Sequence, residues 1–305
     1  MDFQAIISQL AVLFIVLILG FVVSKIRVVP QEAGSIMTKI VMNVTLPCTV
    51  LSSVVGGNLA ITGQDAMFFL LMSLFMLFLS MVAGIIFSRV IGGERANRGL
   101  YAAMIAFGNV GFMGFPVAKS IFGADSTFFV SLNMIFFQIL TYSVGGILVS
   151  GKGGKFDPKV LRTPVLIASF LVIPLALLNF SAPVFIRDTI NLVGSVTTPA
   201  SMLIIGFMLA QTPLRELFSQ WRLYIATVVK LAVVPIITWA ILRLIVSDPL
   251  MLGVLVVLSG MPTAAIVGMF AIEYEGNERL ASSSIFLTTL LSGVTIPLVV
   301  YILLM

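Results

Sequence analysis

The chain contains no histidine and only one cysteine, Cys48. A lone thiol cannot close an intrachain disulfide or build a multi-cysteine metal site. Without histidine, an H-E-x-x-H zinc site and a Ser–His nucleophile are both impossible. Charge is scarce as well: Asp, Glu, Lys and Arg make up 10% of the 305 residues, where a soluble domain carries roughly a quarter. The acidic residues all fall at or near the ends of apolar runs, so the aspartate pair of an intramembrane aspartyl protease is missing. No G-x-S-x-G nucleophile elbow occurs either. These absences set aside the common hydrolytic enzymes.

What fills the chain is hydrocarbon. Apolar residues make up 60% of it, which marks an all-α polytopic membrane protein. Runs of about twenty apolar residues, enough to span a bilayer, lie near 5–24, 32–56, 66–90, 99–121, 126–149, 164–181, 189–211, 222–245, 249–271 and 280–303. No basic residue precedes the first and no small-residue cleavage site follows it, so it reads as a retained helix and not a signal peptide. The second and seventh are the least apolar, which predicts helices packed inside the bundle.

The net charge of +5 comes from basic residues scattered between spans, not from one nucleic-acid-binding patch. After the odd-numbered spans come Lys25, Arg27, Arg89, Arg95, Arg98, Lys152, Lys155, Lys159, Arg162, Arg215, Arg222 and Arg279; the other side holds Lys119, Arg187 and Arg243. The positive-inside rule then places both termini outside and the loop 151–163 in the cytoplasm. Lys39 and Lys230 fall within spans; both read as snorkelling cations, with Lys230 alternatively a counter-charge for an anion.

Residues 107–116 read FGNVGFMGFP, a costly sequence for a helix, since each interior glycine costs about 1 kcal/mol and proline about 3. A shift of 152 residues carries Thr45-x-Pro47 onto Thr197-x-Pro199 and Gly108 onto Gly260, where the chain reads SGMPTAAIVG. Matching interruptions in the second and fourth spans of each half predict two five-helix repeats, 1–150 and 164–305, joined by the linker 151–163. An odd number of spans per half inverts the second copy.

Backbone opened at mid-membrane survives only beside protein or a water-filled cavity, and the half-helix after each break points its positive end at the gap. The predicted substrate site therefore comprises Gly108, Asn109, Gly111, Gly260 and Thr263, with Asn43 as a further polar group. Gly114, Pro116, Pro262, Pro47 and Pro199 are the predicted helix breakers. A small anion such as a carboxylate suits such a site. Each group also has a structural reading: the glycines as a packing face, Asn43 as a partner for backbone freed by Pro47, and Thr45, Thr197, Thr198 and Ser201 as packing hydroxyls.

The stretches MNVTLPCTVLSS, GNVGFMGFPV and SGMPTAA resemble the auxin efflux carrier family, which includes plant PIN-type auxin carriers and bacterial permeases proposed for malonate and malate. The resemblance runs over the whole chain, and the short middle loop looks like that of a bacterial member in the cytoplasmic membrane. It implies that spans four and nine cross as broken helices. It also implies a scaffold of spans one, two, six and seven, often dimeric, with the remaining spans carrying a small organic anion by an elevator motion. The crossover asparagine of the family matches Asn109 and its paired prolines match Pro116 and Pro262, but the second break has Thr263 where an asparagine would be expected. No cofactor is implied; coupling to sodium or protons is left open, as are a channel and a non-transporting sensor on the same fold.

Overall fold

The computed structural model describes residues 3–30, 32–57, 61–92, 94–151, 158–212 and 220–305. Asp2, Lys152, Lys155, Asp157, Arg215 and Glu216 of the charge pattern lie outside them. The described residues are helical, with two isolated antiparallel bridges, Gly56 with Ser181 and Gly108 with Thr263. In chain order the helices are α1 Phe3–Lys25, α2 Ala33–Ser52, α3 Gly63–Ile91, α4 Arg95–Ala106, α5 Val110–Phe122 and α6 Ser126–Ser150. Then follow α7 Pro164–Leu177, α8 Val184–Gln211, α9 Trp221–Leu242, α10 Pro249–Ser259, α11 Ala265–Glu273 and α12 Glu278–Leu304.

Seven of these helices (α1, α2, α3, α6, α8, α9 and α12) are long and apolar enough to cross a membrane. They coincide with seven of the ten apolar runs. The other three runs fall short as single helices for visible reasons. The fourth is divided between α4 and α5, the ninth between α10 and α11, and the sixth, α7, has 14 residues.

Local chemistry sets many of the ends. Thr62 and Asp65 form a reciprocal capping box at the start of α3, with Thr62 N–H donating to Asp65 Oδ2 at 3.0 Å and Asp65 N–H to Thr62 Oγ1 at 3.2 Å. Asp248 caps α10 by accepting from Met251 N–H at 2.8 Å, and Asn277 caps α12 by accepting from Leu280 N–H at 3.0 Å.

Four helices contain a π turn: Val41–Thr45, Val110–Gly114, Thr141–Gly145 and Val229–Val233. Three of them run directly into Leu46-Pro47, Phe115-Pro116 and Val234-Pro235. A proline ring clashes with the carbonyl four residues earlier, here that of Asn43, Phe112 or Leu231. Widening the preceding turn relieves the clash without ending the helix. This corrects the reading of Pro47 and Pro116 as helix breakers, because both lie inside continuous helix just past a π turn. Gly114 is likewise within the turn, and Pro199 follows a one-residue irregularity at Val196. The real interruptions are residues 107–109 and 260–264.

The helices meet at glycines. A Cβ on Gly206 of α8 would stand 2.2 Å from Leu17 O and 2.6 Å from Phe21 N of α1, and one on Gly20 would stand 2.6 Å from Leu203 O. Such contacts let backbones approach in an environment where lipid supplies no hydrophobic drive. Contrary to the expectation for an inner helix, α2 leaves Ile36, Ile40 and Val44 exposed on its surface. Its polar residues Thr38 and Asn43 are there because they face a cavity, not the packed core.

Gly206→Ala should destabilise the protein by at least the roughly 1–3 kcal/mol typical of overpacking, because the added methyl meets backbone. Gly111→Ala, whose Cβ would have no neighbour within 4 Å, should leave stability unchanged. Thermal unfolding of the two detergent-purified variants checks this, and equal midpoints would contradict the packing described.

Candidate functional site

The two interruptions lie against each other and pair as a short antiparallel ladder. Asn109 N–H donates to Pro262 O at 2.7 Å, and Ala264 N–H donates to Phe107 O at 3.0 Å. Gly108 is required here: a Cβ would stand 3.0 Å from Met261 Cβ, 3.2 Å from Met261 O and 3.3 Å from Leu258 O. Each break thus satisfies backbone groups that the other exposes.

The helix ends around this pairing are treated unequally. The C-terminal carbonyls are capped by protein donors. Thr263 Oγ1–H donates to Met104 O at 3.1 Å near the end of α4, and Lys230 Nζ donates to Ser259 O at 3.1 Å at the end of α10. The N-terminal ends of α5 and α11 instead face a cavity of about 290 Å³ whose wall includes Gly111, Phe112, Ala264, Ala265 and Ile266. Among the described residues no acceptor is found for the N–H groups of Gly111, Ala265 and Ile266. The partial positive charge of two helix termini is therefore directed at this space.

Two side-chain amides line the same wall. Asn109 is buried, and its Oδ1 accepts from Phe112 N–H at 3.3 Å; its Nδ2 has no partner among the described residues. Gln138 of α6 is 4% exposed, and its side-chain amide lies 3.0 Å from Thr163 Oγ1. The single Thr163 hydroxyl hydrogen is donated to Val160 O at 2.8 Å, so the Gln138 amide is satisfied by donating its nitrogen to Thr163. Asn43 also lines the cavity, donating through Nδ2 to Lys39 O at 2.8 Å. The rest of the wall is chiefly apolar, including Met42, Met134, Phe137, Met208 and Met269, and among the described residues no Asp, Glu, Lys or Arg lines it.

Of the predicted substrate residues, Asn43, Asn109 and Gly111 line the cavity. Gly108 belongs to the backbone pairing behind it. Thr263 does not line the cavity: it is fully buried, its hydroxyl lies 3.1 Å from Ser284 Oγ, and its N–H donates to Thr288 Oγ1 at 3.0 Å. Gly260 ends α10 against Pro235. Thr197, read as a packing hydroxyl, receives Thr49 Oγ1–H at 2.7 Å in the contact of α2 with α8. Lys39 is exposed, whereas Lys230 is 1% exposed and neither snorkels nor lines the cavity.

Sequence reasoning passed over Gln138 and its neighbours Thr141 and Tyr142, which also line the cavity. A glutamine amid the apolar run FFQIL, followed by hydroxyl side chains one turn on, is the signal that was available.

A larger hollow of about 760 Å³ opens at the opposite helix ends, lined by Ser52, Asp65, Lys119, Asp125, Asn191 and Asp248 among others. It holds none of the predicted residues and shares no lining residue with the 290 Å³ cavity. The 290 Å³ cavity does share Met208, Ala265 and Met269 with a third hollow that reaches Gln211, Thr212 and Arg279.

The sequence model of the membrane transport protein family (Mem_trans) matches residues 5–160 and 155–300. The chain belongs to that family, whose members are of the auxin efflux carrier type. It is 27% identical to an uncharacterized transporter of Methanocaldococcus jannaschii, over 96% of this chain and 97% of the relative. It is 26% identical to an uncharacterized transporter of Methanothermobacter thermautotrophicus, over 95% and 96% of the two chains. It is also 26% identical to a Rhizobium meliloti protein provisionally named a malonate transporter, over 65% of this chain and 64% of that one. The family and these relatives are transporters, not enzymes.

Thr263→Val should destabilise the fold by about 1–3 kcal/mol, the cost of leaving buried partners unsatisfied, without altering ligand affinity in the folded protein. Thermal unfolding with and without a carboxylate that binds the wild type separates the two effects. Lost affinity at unchanged stability would return Thr263 to the ligand set.

Proposed function

We propose that the chain is a carrier for small organic anions such as mono- or dicarboxylates, held at the crossing of two broken helices. The observation that carries this reading is the character of the 290 Å³ cavity. Two helix N-termini and the Asn109 amide converge on it, and among the described residues no carboxylate lines it. The carboxylate would lie between Asn109 Nδ2 and the N–H groups of α5 and α11, with its carbon skeleton against the methionines and Phe137. The relative named for malonate is consistent with this ligand class.

In this reading α4–α5 and α10–α11 act as the broken fourth and ninth spans of ten. The spans form two inverted halves, with both termini on the extracytoplasmic side of a bacterial cytoplasmic membrane. Two hollows that enter from opposite helix ends and share no lining residue suit alternating access better than an open pore. The elevator motion, and a homodimer formed through a lipid-embedded scaffold of α1, α2, α7 and α8, complete the proposal.

The test is a thermal-shift screen of the purified protein against short carboxylates, with and without sodium. A ligand that binds only the folded state stabilises it by about 2.7 kcal/mol at a hundred times its dissociation constant. At least one acid should produce a shift. Asn109→Ala should weaken its binding about ten- to a hundredfold, the worth of a hydrogen bond to a charged group. Unchanged affinity in a well-folded Asn109→Ala protein would sink the proposed site.

A further inference from the structure

Lys230 is the unexplained charge of the molecule. It sits in the π turn Val229–Val233 of α9, is 1% exposed, and makes one hydrogen bond, to Ser259 O at 3.1 Å. An ammonium has three N–H donors, so the single carbonyl leaves it under-supplied. Among the described residues it has no ion pair; the one salt bridge found joins Arg187 to Asp188. The negative end of α10 compensates a buried cation only in part, because an isolated ammonium in an apolar interior is strongly disfavoured.

The elements around it supply no counter-charge. The titratable groups on α3 are Asp65 and Arg89; on α4, Arg95, Arg98 and Tyr101; on α9 itself, Arg222 and Tyr224; and on α12, Glu278, Arg279 and Tyr301. Asp248 caps the far end of α10. Tyr101 is the only one of these that is buried, and none bonds to Lys230.

The cavity has the complementary problem. It offers donors to an anion but, among the described residues, no charged side chain to balance one. The two sites are joined by the break itself: Ser259, which Lys230 holds, begins the stretch that ends at Ala264 in the cavity wall. An anion in the cavity and a proton on Lys230 each lower the cost of the other, and opposite charges interact strongly where water is excluded.

We propose that Lys230 is the proton-coupling residue of this carrier. Its amine takes a proton from water on the face to which the site is open, the resulting ammonium offsets one charge of the bound anion as they cross together, and anion and proton are released on the other face. The empty site returns with Lys230 as a neutral amine, so the return leg carries no charge and the loaded leg carries none with a monocarboxylate and one negative charge with a dianion such as malonate. Lys230 does not touch the substrate; it acts through the end of α10. This inference rests on the organic-anion reading above.

The decisive measurement is malonate affinity of the full chain, by thermal shift, at about pH 7 and about pH 9, where malonate is fully ionised and a buried lysine can still change state. In the wild type, affinity should fall about tenfold or more with rising pH, in the range of ordinary coupling energies. Lys230→Arg, permanently charged, should bind with the same affinity at both pH values. Lys230→Met should bind weakly at both. A wild-type pH profile in Lys230→Met would show that the lysine is a structural tether and overturn the proposal. Should Lys230→Met fail to fold, a Lys230→Arg protein that keeps the pH dependence overturns it instead. A wild-type protein that malonate does not shift at either pH, or an Asn109→Ala protein that binds it as well as wild type, overturns the anion site itself.

Discussion

Everything distinctive in this structure follows from the pairing of residues 107–109 with residues 262–264. A membrane interior gives an opened helix no water to bond to, so a break must be satisfied by protein or lie beside a cavity. Here both solutions occur, divided by face. The backbone groups on one side of the breaks bond to each other, through Asn109 N–H to Pro262 O and Ala264 N–H to Phe107 O. The groups on the other side, the first N–H groups of α5 and α11, are left facing the cavity. The pairing requires contact at Gly108, and the exposed termini require that the helices restart immediately after it. Polarity at the site is thus built chiefly from main chain, in a protein with few charged side chains.

That division also orders the side chains. The carbonyl ends of α4 and α10 would offer negative charge to the same region if they were open. They are closed by Thr263 and Lys230, one neutral donor and one cationic donor. Only positive helix ends then remain for a ligand to meet. The asymmetry between the two caps is informative, because a hydroxyl would have sufficed for α10 as it does for α4. A buried ammonium in that place costs the fold more than a hydroxyl would, so structure alone gives no reason for it.

The sequence was legible where composition and spacing carry the physics. Glycines, an asparagine and paired interruptions at a fixed shift marked the two breaks, and Asn109, Gly111 and Asn43 do reach the cavity wall. It was less legible wherever an outcome depends on which way a residue faces. Thr263 and Gly108 lie in the break as read, yet they turn into the packing and leave the cavity to Ala264 and Gly111. Gln138 stands in a continuous helix, and its one mark along the chain is to be a lone amide within the apolar run FFQIL. The prolines were misjudged for a different reason. Pro47 and Pro116 forbid a hydrogen bond, but a helix can widen by one residue instead of stopping, and each does so one turn upstream of its proline.

The glycine contacts bear on motion. Close backbone approaches fall into two sets. One set joins α1, α2 and α8: Gly20 against Leu203 O, Gly206 against Leu17 O, and Gly194 against Thr49 N. The other joins α3, α4, α6 and the second break: Gly84 against Ala102 O, Gly99 against Leu148 O, and Gly108 against Met261 O. Two further glycine contacts, Gly63 of α3 with Leu177 of α7 and Gly293 of α12 with Phe14 of α1, are with side chains. The cavity lies between the sets, where Met42 and Met208 on one side face Met134 and Met269 on the other. Backbone-on-backbone packing resists sliding, whereas thioether side chains repack at small cost. A displacement of one set against the other would therefore leave the paired breaks and the amides Asn109 and Gln138 together in one block, because these sit on the second set. That side of the cavity wall would move as a unit, with its donors in fixed geometry, and what would change is the hollow through which it meets water.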